Sequence, residues 1–473
     1  MEGHQVKNAL LSNMYWVDTN EIDAHRVRKY FTVEKETTVW GTRKRQKHEI
    51  PTYREGKGPL LGYLGLPITR GMDMFPAIDL EEDLSDGAPF DAWTTLPDPN
   101  HPMAADGQEE FMALTLDAVQ DNYAALIKAQ TGTGKTVVAL NTAARLGVRT
   151  LVTMPLVRLQ DQWAKQVVAL LGIDPDKAGL VGGAKYQAQR QIVFACQKSL
   201  ATKQYPDEFY RNFGFVIDDE AHKLGAAVAS QAVGLFNSRY KLAQTATPVR
   251  KDGADKIYYD YYGRPAFERN MSAVPTEVVT LHYTAKKPVT GNNKTAKLIA
   301  LAYDWDRNDI FVELAKAWYT NGNFPLFIMD HTRHVEILNK MFIAAGIPEN
   351  HIGLYVGGLK EGTKKGSAVT KEYLDWSEKH ARVFIATYGI MEMGIDIPKI
   401  DRGCDVSPRS EFEQTLGRIR RKMPGKDKAI WVTIRDRAVS SFEGNYFQRM
   451  KSIRGLDGIT TRKGTLSDIL QSP

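Results

Sequence analysis

Cysteine is all but missing from this chain: Cys196 and Cys404 are the only two among 473 residues, and they lie far apart in sequence. Neither a disulfide framework nor a thiolate-rich zinc cluster follows from them, so the expected compartment is reducing. Long apolar runs are lacking as well. None approaches the roughly 20 residues that a membrane-spanning helix needs, and the amino terminus, MEGHQVKNALLSN, has no signal-peptide layout. Short-period repeats and low-complexity tracts are also missing. The composition that remains is ordinary for a globular protein, 43% hydrophobic and 25% charged, and the expectation is a cytoplasmic protein with no membrane partner. The length is more than one hydrophobic core organises and argues for about two to four domains.

Charge of one sign is locally absent. Residues 73–98 hold eight Asp/Glu and no Lys or Arg. Just upstream, residues 26–57 hold ten Lys/Arg against four Glu, although the whole chain carries a formal net charge of only +6. A basic module followed by an acidic connector that ends in the breaker cluster PDPNHP marks a domain boundary. YFTVEKETTVW and RKRQKHEIPTYRE have the β-branched and aromatic content of short strands. Arg43, Lys44, Arg45 and Lys47, beside Trp40 and Tyr53, suit contact with a nucleic-acid backbone and an unpaired base. A solvated loop is the competing reading of the same run.

Beyond residue 108, apolar strands alternate with helices. AALIKA, RTLVTMP, QIVFACQ, FGFVIDDE and YKLAQTATP each end in polar or small residues, which is the pattern of a parallel sheet with its chemistry at the carboxyl ends of the strands. The pattern restarts after residue 300 with PLFIMD, HIGLYVG, RVFIAT, RGCDVS and KAIWVTI. The expected layout is a small basic α+β or β-rich module over 1–72, an acidic linker over 73–104, and two α/β parallel-sheet domains over 105–283 and 284–473. Trp163 and the run Tyr258, Tyr259, Tyr261 and Tyr262 are expected to serve packing rather than stacking on bases.

Four motifs carry chemistry. AQTGTGKT, from Ala129 to Thr136, follows a strand and opens a helix. Thr131, Gly132, Thr133 and Gly134 would wrap backbone N–H groups around phosphates, Lys135 would contact the β- and γ-phosphates, and Thr136 would ligate Mg²⁺. DEAH, from Asp219 to His222, ends another strand: Asp219 would hold Mg²⁺ and Glu220 would orient and deprotonate the attacking water. His222 would link this site to the segment from Thr245 to Thr247. In QTLGRIRR, Gln414, Arg418 and Arg421 are spaced i, i+4, i+7 and project from one helical face, as arginine fingers aimed at a γ-phosphate require. Thr387, at a strand end, would bond a nucleic-acid phosphate, and Gly394 and Asp396 in MGID would approach the nucleotide. ATP and Mg²⁺ are the expected cofactors.

With these motifs the chain resembles superfamily 2 helicases of the DEAH/DExH kind over about residues 105–440. MPLVRLQDQW, TATPVRKD, RND at 307–309 and MEMGIDIPKID sharpen the likeness. Within that superfamily it is most similar to the group holding phage UvsW-type branch-migration helicases and XPB-like translocases, and FTVEK, IPTYRE and LGLPITRG are similar to the small leading domain of the UvsW type. The resemblance implies two RecA-like lobes and ATP-driven translocation, 3′→5′ and as a monomer. It also implies strand contacts at Pro155 and Arg158, at Gln197 to Ser199 with Lys198 among them, at Thr387 and at His331 to Arg333, and coupling through His222, Thr245 and Thr247. Gln108 falls where the family has an adenine-reading glutamine, but AADGQ replaces the usual aromatic or basic residue ahead of it. The expected partner is DNA, branched or forked; an RNA helicase and an ATP-driven duplex clamp remain alternative readings.

Overall fold

The alternating strands of the amino-terminal module pair into a five-stranded sheet: β1 (Val6–Leu11), β2 (Tyr15–Asp18), β5 (Arg54–Glu55), β6 (Tyr63–Leu66) and β7 (Ala77–Glu82), in the order β5-β6-β2-β1-β7. A separate antiparallel hairpin is formed by β3 (Thr32–Thr38) and β4 (Arg45–Pro51). The computed structural model describes residues 3–38, 45–92, 94, 108–129, 134–155, 159–183, 185–226, 228–246, 252–269, 274–286, 289–291, 293–356, 371–391, 397–410, 413–420, 423, 425–454, 456 and 458–471.

The strands read from sequence after residue 108 build an eight-stranded sheet. Its members are β8 (Ala124–Ala129), β9 (Thr150–Met154), β10 (Ala178–Gly182), β11 (Lys185–Tyr186), β12 (Ile192–Cys196), β13 (Phe215–Asp219), β14 (Tyr240–Thr245) and β15 (Pro265–Arg269). The order is β11-β10-β12-β9-β13-β14-β8-β15, parallel throughout except for β11. Because the strands run the same way, their carboxyl ends share one edge. Five helices matter for that edge: α1 (Gln108–Asn122), α2 (Lys135–Leu146), α3 (Leu159–Leu171), α4 (Gln197–Thr202) and α5 (Lys256–Tyr262).

The chain divides into two compact units, Met1–Met271 and Ser272–Pro473. The amino-terminal module therefore belongs with the first parallel sheet rather than standing apart. Val17, Phe31, Leu66 and Phe75 share a buried cluster with Leu126, Leu224, Tyr258, Tyr261 and Tyr262. Tyr261 donates from its hydroxyl to Asn13 O at 2.6 Å, and Thr69 Oγ1 donates to Tyr261 O at 2.9 Å. The hairpin is fastened to the same helix by Val33 and Ile50 against Ile257, and to the segment just before it by Ala254 in the same cluster and by Lys35 Nζ to Asp252 at 2.9 Å.

The stretch expected as an acidic linker differs from that reading. Residues 77–82 form β7, the edge strand of the amino-terminal sheet, paired in parallel with β1. Asp83 accepts from Arg211 Nη1 at 2.7 Å, Glu82 pairs with Arg239 at 2.9 Å, and Asp86 also pairs with Arg239. Three of the stretch's acidic residues are paired with arginines of the parallel-sheet domain. Each such surface pair contributes only about 0–1 kcal/mol, so their role is to fix the path of the chain.

The second unit holds a seven-stranded, all-parallel sheet: β16 (Thr276–Tyr283), β17 (Pro325–Met329), β18 (Ile352–Tyr355), β19 (Val383–Thr387), β20 (Arg402–Asp405), β21 (Ala429–Asp436) and β22 (Ile459–Lys463), in the order β18-β19-β17-β20-β21-β16-β22. The RND motif lies on α6 (Trp305–Thr320) and is structural. Arg307 forks onto Asp436 at 2.8 and 3.0 Å with 0% and 4% side-chain exposure. Asn308 Oδ1 lies 2.8 Å from His334 Nε2, and burial beside Arg307 pushes the His334 imidazole down to about 3, which keeps it neutral.

A buried carboxylate stripped of its guanidinium is far costlier than the pair is stabilising. Arg307→Ala is therefore expected to destabilise the second unit by about 3–5 kcal/mol, read as a lower denaturant midpoint for its transition. A shift under about 1 kcal/mol would show instead that Asp436 finds other partners.

Candidate active site

The edge formed by β8, β13 and β14 gathers the motifs. Gln130, Thr131, Gly132 and Thr133 lie outside the described residues, but the end of the phosphate loop is placed. Gly134 caps α2 with φ 87°, a left-handed conformation that favours glycine. Lys135 and Thr136 occupy the first turn of the twelve-residue helix, whose free N–H groups make an anion site. Lys135 is buried and donates from Nζ to Ala129 O at 3.1 Å, so its ammonium is folded onto the loop's own backbone. Gln108 opens α1, is buried, and packs so closely that a Cβ on Gly134 would strike its amide.

The two aspartates ending β13 are both buried, with Asp218 6% and Asp219 9% exposed. Asp218 accepts from Thr153 Oγ1 of β9 and from the Tyr262 hydroxyl of α5. Asp219 accepts from Trp163 Nε1 at 3.0 Å on Oδ2, and on Oδ1 from Gln244 Nε2 at 2.9 Å and the Glu220 amide at 3.0 Å. Burial raises the Asp218 carboxyl above its ordinary range. Asp219 is raised by burial and then by the neighbouring Glu220 charge. Glu220 behaves in the opposite way: burial opposes its charge, but Lys135 and His222 overcome that and hold it well below the usual carboxylate range. Glu220 therefore stays ionised, as a proton acceptor must.

Glu220 is also one of two non-glycine residues with positive φ among those described, at 52°. A non-glycine residue is held there by its surroundings, and such strain clusters at functional sites. Here it turns the chain from β13 into the short helix Ala221–Gly225. His222 Nδ1 lies 3.2 Å from Glu220 Oε2 and 3.0 Å from Thr245 Oγ1 at the end of β14. One imidazole thus bridges the DEAH turn to the TAT strand, while Thr247 lies outside the described residues.

A divalent cation fits this donor set. Asp219 has both oxygens aligned by neutral donors yet bears a like-charge penalty from Glu220, which a cation would relieve. Thr136 stands half-exposed in the first turn of α2. No group of three or more His, Cys, Asp or Glu able to hold a metal occurs among the described residues. Mg²⁺ keeps waters and substrate phosphates as ligands and needs only one or two protein groups.

The remaining sequence candidates fall elsewhere. Pro155 follows β9, half-buried, and Lys198 is exposed on α4, both along the carboxyl edge of the first sheet; Arg158 lies outside the described residues. Lys47 is exposed on β4 and pairs with Glu34 across the hairpin at 3.4 Å. Arg43 and Lys44 lie outside the described residues, as does the side chain of Arg45. In the second unit Thr387 ends β19 and is buried. Gln414 and Arg418 ride on α7 (Glu413–Ile419) with their side chains outside the described set, and Gly394, Asp396 and Arg421 lie outside it altogether. Trp163 and Gln244 were not legible as site residues, and Gln197, expected at a strand contact, was not legible as a partner of Asp219, because contacts between adjacent parallel strands and their crossover helices leave no local spacing signal.

Lys241, on β14 beside Asp218, supplies a pH test. Burial, helped by Arg239, lowers its ammonium to about 7, with Asp218 opposing. The unfolded lysine keeps its proton to about 10.4, so above pH 7 the unfolded state binds more protons and stability rises with pH. Between pH 7 and 8.5 the chain is expected to gain up to about 1.4 kcal/mol per pH unit over Lys241→Met, measured from urea midpoints. Equal slopes would place the Lys241 amine in water.

Comparison with known proteins agrees with this geometry. The family model "Type III restriction enzyme, res subunit" matches residues 102–250, which hold the phosphate loop and DEAH turn. "Putative ATP-dependent RNA helicase L396" of Acanthamoeba polyphaga mimivirus is 24% identical over 95% of this chain and 86% of its own length. "DNA 3'-5' translocase XPB2" of Sulfurisphaera tokodaii is 28% identical over 46% of this chain and 47% of its own. The solved structure of S. cerevisiae Dbp5 bound to RNA and ADP BeF3 covers 76% of this chain and 90% of that chain, with 13% identity and a TM-score of 0.52. That last likeness concerns fold alone, and the fold is two tandem RecA-like parallel sheets. A matched family model, helicase-named relatives and a site shaped for phosphate and carboxylate chemistry meet in one chain, which is an ATP-hydrolysing nucleic-acid helicase similar to those of superfamily 2.

Proposed function

We propose that this helicase uses ATP to unwind or branch-migrate forked and branched DNA, moving 3′→5′ and acting as a monomer in the cytoplasm or in a host's cytoplasm. The observation that carries the hydrolytic part is the placement of Glu220 at the turn after β13, 3.2 Å from His222 and next to the buried Asp219. Lys135 and the amino-terminal turn of α2 bind the β- and γ-phosphates, and Gln108 reads the base from beside Gly134. Mg²⁺, held by Thr136 and Asp219, neutralises phosphate charge when bound. Glu220 orients the attacking water and takes its proton. Arg418 and Arg421 supply positive charge to the transferring phosphoryl group, worth several orders of magnitude in rate, Gln414 offers it a neutral amide donor from the same helical face, and Gly394 and Asp396 contact the nucleotide. Hydrolysis is passed to the strand-binding edge through His222, Thr245 and Thr247.

Pro155, Arg158, Lys198 and Thr387 contact the translocating strand through phosphates, which gives affinity without sequence reading. The basic hairpin residues Arg43, Lys44, Arg45 and Lys47 hold duplex near the fork. What supports DNA is the sequence likeness to UvsW-type proteins and the archaeal relative whose printed name is a DNA 3'-5' translocase. A second reading, an RNA helicase, has a specific observation behind it: the viral relative spanning most of both chains is named a putative RNA helicase.

Glu220→Gln is expected to lower ATP turnover at least about 1,000-fold while ATP still binds, measured by steady-state hydrolysis alongside nucleotide titration. Turnover near the unsubstituted rate would remove Glu220 from the reaction. Unwinding of a Holliday junction, a forked duplex and a structured RNA, compared at one salt concentration, should favour the junction. Preference for the RNA would select the second reading.

A further inference from the structure

Asp219 receives two hydrogen bonds that the hydrolytic mechanism does not require, and they come from different elements. Trp163, on α3, donates from its indole to the Asp219 carboxylate at 3.0 Å. Gln197, the first residue of α4, donates from Nε2 to the Asp219 main-chain carbonyl at 3.1 Å and approaches Thr153 Oγ1 at 3.4 Å. Both side chains are closed off from water, Trp163 at 3% and Gln197 at 1% exposure. Each sits directly behind a segment at the carboxyl edge of the sheet. The chain from β9 passes Pro155 before entering α3, and Gln197 precedes the exposed Lys198 on α4. The two segments also touch each other, since Cys196 Sγ approaches Pro155 O at 3.7 Å and Met154 and Cys196 are register partners in the sheet.

We infer that Trp163 and Gln197 are positioning residues that transmit strand binding to the magnesium-holding aspartate. This rests on the reading above, in which Pro155 and Lys198 lie against a nucleic-acid strand. A strand pulling on either segment displaces a donor that is bonded to Asp219, on its carboxylate in one case and on its backbone in the other. Small shifts are conveyed because a close-packed interior does not absorb them, and a buried donor without its acceptor is costly. What separates this arrangement from ordinary core satisfaction is that Gln197 adjoins the exposed Lys198 and Trp163 lies on the helix that the chain enters after Pro155. Asp218, one residue earlier, accepts instead from Thr153 of β9 and Tyr262 of α5.

Trp163→Phe keeps the ring and removes the N–H; Gln197→Met keeps the length and removes the amide. ATP hydrolysis by the full chain would be measured with and without a poly(dT) oligonucleotide, together with the affinity for that oligonucleotide, the affinity for ATP and the melting temperature. Poly(dT) stimulation is expected to fall about tenfold in each variant, with the oligonucleotide and ATP affinities held. A stimulation ratio equal to that of the unsubstituted chain in both variants overturns the inference, and so does a loss of oligonucleotide affinity that accounts for the lost stimulation. A variant whose basal and stimulated rates fall by one common factor, with a lower melting temperature, also overturns it, because that is purely structural behaviour. If the unsubstituted chain is not stimulated by poly(dT) or by a matching poly(U) oligonucleotide, the parent reading falls and takes this one with it.

Discussion

Burial of two adjacent carboxylates at the end of β13 is the constraint on which the first unit is built. Asp218 and Asp219 leave water almost entirely, and burial raises both carboxyls. An ionised carboxylate in such a place is tolerated only with its lone pairs satisfied. Neutral donors arrive from four directions: Thr153 on β9, Trp163 on α3, Gln244 on β14 and Tyr262 on α5. The positions of these elements follow from the parallel order β9-β13-β14, which brings their carboxyl ends together.

The same constraint reaches the amino-terminal module. Tyr262, bonded to Asp218, is the last residue of α5, and the module packs against that helix through Tyr258, Tyr261 and the hairpin base. Lys256 of α5 lies 4.2 Å from the Tyr30 ring centre and is paired with Asp260. A basic module docked this way is not a tethered accessory. Its hairpin is fixed to a helix whose far end touches the strand that carries the hydrolytic residues, and the acidic strap from Glu82 to Asp86 closes the remaining side.

The sequence was most readable where one rule decides the outcome. Buried parallel strands are continuous apolar runs, so LIKA, LVTM, IVFAC, FVIDD and KLAQT could be placed on strands, as could PLFIM and VFIAT. The phosphate loop was legible because glycines and a lysine between strand and helix have one common physical use. Edge strands were not. β7 reads AIDLEE and falls in the stretch expected as a linker, and β22 reads ITTRK and is not among the expected strands, because an edge strand keeps polar residues outward. Trp163 shows the other limit. A tryptophan on an amphipathic helix is usually core, and this one is core, but its N–H must find an acceptor, and only the fold reveals that the acceptor is Asp219.

The second unit contains a useful contrast. Asp405 ends β20 much as Asp219 ends β13; it is fully buried, and burial raises its carboxyl too. It accepts from Trp431 Nε1 at 2.8 Å and Thr433 Oγ1 at 3.0 Å, but it also meets Arg449 at 3.0 Å, with both side chains 1% exposed. A guanidinium built into the fold neutralises it permanently, and no exchangeable cation has a reason to bind. Asp219 has comparable neutral donors and no guanidinium among its described contacts; among the described residues its charge is opposed by Lys135, which Glu220 shares. Two strand-end aspartates with similar surroundings therefore part company on one feature. Where the compensating cation is part of the chain, the carboxylate is structural. Where it is left to a ligand, binding that ligand relieves an electrostatic cost the fold already carries, and the site becomes responsive to what occupies it.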